Sequence, residues 1–126
     1  MHTFWYTPNM SNLPPTLTVK FFRTETGNEP VREWLIDLPR DDRKAVGTDI
    51  KTVQFGWPIG MPVVRKMEPD LWEVRIDLKE KIARVLFTVE ARTMVLLHGF
   101  IKKSEKTPAS DLETARQRKA ALKRKR

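Results

Sequence analysis

Hydrophobic residues recur along the chain at two different periods. Leu17 to Arg23 (LTVKFFR) is a short β-rich run closed by the turn-forming TETGN, which predicts a first strand. The period then becomes helical. Val31, Trp34, Leu35 and Leu38 fall at i, i+3, i+4 and i+7, one face of a helix. Asn28 is placed to cap it, with Pro30 in the tolerant first turn. Pro39 stops this helix and opens a second, from about Arg40 to Phe55. Val46, Ile50 and Val53 mark its buried stripe, and Gly56 is a natural stop.

Beyond the turn-rich GWPIGMP the period becomes two. Val63 to Met67 predicts a strand with Arg65 and Lys66 on opposite faces. In Leu71 to Asp77, Trp72, Val74 and Ile76 point inward and Glu73, Arg75 and Asp77 outward. Lys79 to Lys81 forms a polar turn. The next strand has Ala83, Val85, Phe87 and Val89 on one face and Ile82, Arg84, Leu86 and Thr88 on the other. In the last, Met94, Leu96, His98 and Phe100 share one face and Val95, Leu97, Gly99 and Ile101 the other. Strands apolar on both faces are covered on both sides or line a groove. Thr107 as cap and Pro108 at the first helical position open a final helix with a narrow stripe of Leu112, Ala115, Lys119 and Leu122. The order strand, helix, helix, four strands, helix predicts an α+β domain with a mainly antiparallel twisted sheet.

Composition adds bounds. The 126 residues suit one domain. We place it at residues 17–122, after a flexible extension at 1–16 and before a basic tail at 123–126. No apolar run approaches the roughly 20 residues that span a bilayer, and residues 1–16 lack the pattern of a secretory signal. A cytoplasmic protein without membrane association is expected. With no cysteine, disulfides, thiolate catalysis and Cys-based zinc sites are excluded. The net charge of +8 is concentrated at one end: residues 116–126 hold seven of the 24 Lys and Arg and no acid, leaving 17 bases against 16 acids elsewhere. Such an end attracts nucleic acid or an acidic protein.

The ordered series LWEVR, ARVLF, VLLHGFIKKSEKTP and ETARQRK resembles the phage-derived HigB-like branch of the RelE/ParE toxin superfamily over Leu17 to Leu122. The resemblance implies a RelE-like fold with the two N-terminal helices on one sheet face. It implies a toxin of a type II toxin–antitoxin system, paired with a helix-turn-helix, HigA-like antitoxin, that cleaves mRNA on the ribosome and inhibits translation. Arg84 matches the arginine of the family's R-V-L-Y strand, Arg65 or Lys66 and Arg75 the basic residues before it, and Lys102 and Lys103 the pair after HGF. Where relatives have tyrosine this chain has Phe87, which cannot exchange a proton.

Cleavage of RNA by its own 2′-hydroxyl needs a base, an acid and cations for the charge growing on the phosphoryl oxygens. Arg84 is the candidate cation, since guanidinium matches phosphate bidentately; its structural alternative is an ion pair with Glu73 or Asp77. His98 is a candidate for acid–base work, since imidazole is the side chain suited to proton exchange near neutral pH, or else is a packed residue beside Gly99. Lys102 completes the catalytic candidates. Arg65, Lys66, Arg75, Lys103, Arg116, Arg118 and Lys119 are expected to bind RNA phosphates. No metal or small-molecule cofactor is expected: Glu73 and Asp77 share a strand face but stand roughly 13 Å apart by strand rise. Two other readings fit the sequence, a ParE-like inhibitor of DNA gyrase without nuclease activity and a basic nucleic-acid-binding module.

Overall fold

The protein is described here by a computed structural model covering residues 14–102 and 106–125. Most of the expected N-terminal extension, and Lys103, lie outside the described residues. The elements run β1 (Thr18–Phe21), α1 (Pro30–Asp37), α2 (Arg40–Gly56), β2 (Val64–Glu68), β3 (Leu71–Asp77), β4 (Ile82–Glu90), β5 (Thr93–Lys102) and α3 (Ala109–Arg124). The five strands form a mixed sheet in the order β1-β5-β4-β3-β2. Every neighbouring pair is antiparallel except β1 and β5, which run parallel with Thr18 opposite Thr93. A parallel pair needs a long crossover, and here everything from α1 to β4 supplies it.

The helices form in the predicted places but begin differently. Asn28 does not cap α1. Its backbone N–H donates to Thr24 Oγ1, and Glu29 takes the cap position, its own N–H donating to Glu33 Oε2 at 3.2 Å. Similarly α3 starts after Pro108 rather than Thr107, because the Thr107 hydroxyl is used elsewhere. Pro30 is the first residue of α1, whereas Pro108 is the cap of α3 rather than its first helical residue, and neither helix has a side-chain cap.

Both faces of the sheet are covered. On one, α1 and α2 bury Val31, Val46, Ile50 and Val53 against Val74, Ile76, Ala83, Val85, Phe87, Met94 and Leu96. On the other, α3 lays Ala115, Leu112 and Leu122 over Leu71, Leu86, Val95, Leu97, Phe100 and Phe22. The three-layer arrangement explains why β4 and β5 are apolar on both sides.

Strand β5 does not keep the simple alternation. Leu86 pairs with His98 and Phe87 with Leu96, so Leu97 is an extra residue, a β-bulge. The bulge reverses the parity of everything after it. Gly99 and Ile101 join Met94 and Leu96 on the α1–α2 face, whereas His98, Phe100 and Lys102 join Val95 and Leu97 beneath α3. The expectation that Met94, Leu96, His98 and Phe100 share a face is therefore corrected. Gly99 shows why the register holds: it faces Trp34 of α1, whose ring occupies the space a Cβ would need.

Candidate functional site

Residues directly opposite on neighbouring strands share a sheet face. Arg65 faces Glu73, Arg75 faces Arg84, Arg84 faces Phe100, and Ile82 faces Lys102. This register gathers Arg65, Arg75, Arg84 and Lys102, one cation from each of four strands, on the face that also carries α3. Lys66 pairs with Trp72 and belongs to the opposite face. The expected group of Arg65, Lys66 and Arg75 is thus divided.

The four cations differ in depth. Arg65 is exposed and Arg75 half-buried, with Arg75 Nη1 3.6 Å from the sulfur of Met61. Arg84 is 1 % exposed and Lys102 4 %. Arg84 Nη1 donates to the Ala83 carbonyl at 2.8 Å, and its Nε lies 3.5 Å from Glu73 Oε1. Glu73, expected on a solvated face, is itself buried, and its Oε2 accepts a hydrogen bond from Thr107 Oγ1. The segment leading into α3 covers this carboxylate, which corrects its outward placement. A buried ion pair that loses one partner costs about 3–5 kcal/mol, so Arg84 and Glu73 depend on each other. An open depression of about 760 Å³ lies between the β3–β4 hairpin and the end of β5, with Lys79, Lys81, Lys102, Asp77 and Glu80 around Ile82 and Ile101.

His98 is a clamp point for α3. Its Nε2 lies 2.6 Å from Asp111 Oδ1, its Nδ1 3.3 Å from Arg118 Nη1, and its ring stacks on Phe100 with centroids 5.5 Å apart. Arg118 also donates to the Leu97 carbonyl at the bulge, 2.8 Å away, and burial lowers its pKa. Arg116 bonds Glu68, which raises its pKa, and Lys119 donates to the Pro69 carbonyl at 3.0 Å. The three helix cations expected to meet RNA thus all contact the sheet or its β2–β3 turn.

Phe87 lies on the other side of the sheet from Arg84. It is fully buried, stacked on Trp72 with centroids 5.9 Å apart and edge-on to Trp57 at 5.7 Å. A tyrosine at this position would not reach the cationic face. Among the described residues no cluster of three or more His, Cys, Asp and Glu could hold a metal ion, and no helix is long and apolar enough to cross a membrane.

The family described as "Phage derived protein Gp49-like (DUF891)" matches residues 33–120, from α1 through most of α3. The chain belongs to the Gp49-like family. No curated protein matches it. The matched region of this Gp49-like chain contains all four cations of the sheet face and the residues that dock α3 over them. Thr107, Glu73 and Asp111 were not singled out as site residues from sequence. Strand parity could have found Glu73, which alternates onto the side of Arg75; nothing local marks Thr107 as the partner of Glu73 or Asp111 as that of His98.

Proposed function

We propose that this Gp49-like protein is the toxin of a toxin–antitoxin pair and a RelE-like, metal-independent endoribonuclease that cleaves mRNA on the ribosome. The family match and the motif resemblance support the toxin reading. The observation that carries the chemistry is the register placing Arg65, Arg75, Arg84 and Lys102 on one face. In this reading the 2′-hydroxyl of the substrate attacks the adjacent phosphorus and the 5′-oxygen leaves. Arg84 and Lys102 offset the charge growing on the phosphoryl oxygens, the largest expected contribution. Arg65 and Arg75 hold flanking phosphates. His98, oriented by Asp111, moves the proton once Nδ1 exchanges Arg118 for substrate. The cations of α3 add long-range attraction while they hold the helix. A helix-turn-helix antitoxin of the HigA type is the expected silencing partner.

The test is to induce the chain in growing bacteria, map mRNA 5′ ends, and repeat cleavage in a purified translation system with EDTA. Codon-registered cuts that survive EDTA support the reading. The faces then separate: Arg75→Ala should lower cleavage at least tenfold and reduce its salt dependence by about one phosphate contact, whereas Lys66→Ala should change it less than twofold. Intact mRNA with relaxed or cleaved DNA would replace the nuclease reading with inhibition of DNA gyrase.

A further inference from the structure

Glu73 is 1 % exposed although its register position faces the cationic side of the sheet. A carboxylate so far from water must be held by donors. It is gripped from two directions. Arg84 Nε forms an ion pair with Oε1 at 3.5 Å, outside hydrogen-bonding geometry, and Thr107 Oγ1 donates a hydrogen bond to Oε2. The first grip comes from β4, the neighbouring strand. The second comes from the segment that delivers α3 to the sheet.

Further polar contacts are made from the helix itself, among them Asp111 to His98, Arg118 to the Leu97 carbonyl, Arg116 to Glu68 and Lys119 to the Pro69 carbonyl. They dock α3 onto β2, the β2–β3 turn and β5. Thr107 reaches from the α3 segment into the cation layer. An arginine side chain has many rotamers, and a catalytic cation is effective when it needs no reorganisation in the transition state.

We propose that Glu73 is the positioning residue of this face: it fixes the Nε edge of Arg84, and through Thr107 it ties that orientation to the docking of α3. The inference deepens the ribonuclease reading and rests on it for its catalytic consequence. Displacement of the start of α3 by a protein partner releases Glu73 and with it the orientation of Arg84. The site is then regulated by a helix that carries none of its sheet cations.

The experiment follows the Arg84 Nε–H by ¹⁵N NMR in the full chain, assigned through Arg84→Lys, together with single-turnover cleavage kinetics. In the wild type this proton should exchange with solvent at least ~100-fold more slowly than that of exposed Arg65. Glu73→Gln and Thr107→Val, with circular dichroism unchanged, should each lose tenfold or more of that protection. Thr107→Ser, which keeps the hydroxyl, should restore it. In cleavage, Thr107→Val should lower kcat roughly 10- to 100-fold with KM nearly unchanged, the scale of one hydrogen bond to a charged group. If Glu73→Gln does not fold, the Thr107 pair decides. Unchanged protection and kcat in folded Thr107→Val would overturn the proposal. A wild type that cuts no RNA would sink the ribonuclease reading alone, because the exchange arm still decides whether Glu73 and Thr107 orient Arg84.

Discussion

Substituting Gly99 by alanine adds a single methyl group and isolates one steric contact. Gly99 pairs with Val85 and faces α1, where a Cβ would lie closer than 3.0 Å to three atoms of the Trp34 indole. Its φ lies outside the left-handed region, so alanine meets no backbone strain. Without the indole, the change would stabilise by about 0.5–1 kcal/mol through reduced freedom of the unfolded chain. With it, the methyl must displace a rigid bicyclic ring held between α1 and the sheet, and overpacking of this kind costs about 1–3 kcal/mol. The net expectation is a loss of roughly 1–2 kcal/mol, or about 3–10 °C in Tm for a chain of this length. Urea and thermal unfolding of the wild type, Gly99→Ala, Trp34→Leu and the double variant measure it. The smaller leucine side chain in place of the indole makes room, so the double-mutant cycle should show a coupling of about 1 kcal/mol or more, as for residues in contact. A stabilising Gly99→Ala, or a coupling near zero, would refute the steric account and the register behind it.

Phe87→Tyr should not create a proton-transfer group, because residue 87 lies across the sheet from Arg84. Unfolding should show a loss of about 1–3 kcal/mol from a hydroxyl buried among Trp57, Trp72 and the core, with no rise in RNA cleavage. Arg118→Ala removes donors to the Leu97 carbonyl and to His98; hydrogen exchange across α3 should accelerate as the helix loses roughly 1.5–3 kcal/mol of docking energy, and equal exchange in both proteins would contradict it. Asp49 has a raised pKa, first from burial and then from Asp77. Its ionisation therefore opposes folding: its contribution is complete below the unfolded value near 3.8 and is lost as pH rises through the folded one. Asp49→Asn should raise Tm at pH 7 by an amount equivalent to less than about 1 kcal/mol at this partly solvated position, with the gain vanishing near pH 3.

Helix placement was legible in the sequence because Val31, Trp34, Leu35, Val46, Ile50 and Val53 repeat at a helical period and Pro39 separates the two runs. The strands were legible for the same reason, including the two-sided burial of β4. Parity also separated Arg65 from Lys66 and Arg84 from Phe87. What alternation could not show was the extra residue at Leu97, since Val95, Leu97 and Gly99 read as an unbroken face and a bulge leaves no local signature among apolar residues. That one residue moved His98 and Lys102 to the side of Arg84. The burial of Glu73 was hidden for a different reason: its cover comes from Thr107, 34 residues along the chain. The attractions that turn Arg116 and Lys119 toward Glu68 and the Pro69 carbonyl are likewise tertiary, so the basic helix read as a free cationic surface.

The parallel pairing of β1 with β5 has a temporal consequence. Thr18 and Thr93 are 75 positions apart, and at synthesis rates of roughly 5–20 residues per second the first strand waits about 4–15 s for its partner. During that interval α1 and α2 can form but have no completed sheet to cover, and Leu17 and Phe22 have no core to enter. Long-range pairing of this kind also slows folding after synthesis. The α3 segment follows β5, so the edge strand, the bulge and the cover over Glu73 and Arg84 all assemble at the end. Until then the cations stand on an unfinished sheet, and the nascent chain passes through its most aggregation-exposed stage just before its site is complete.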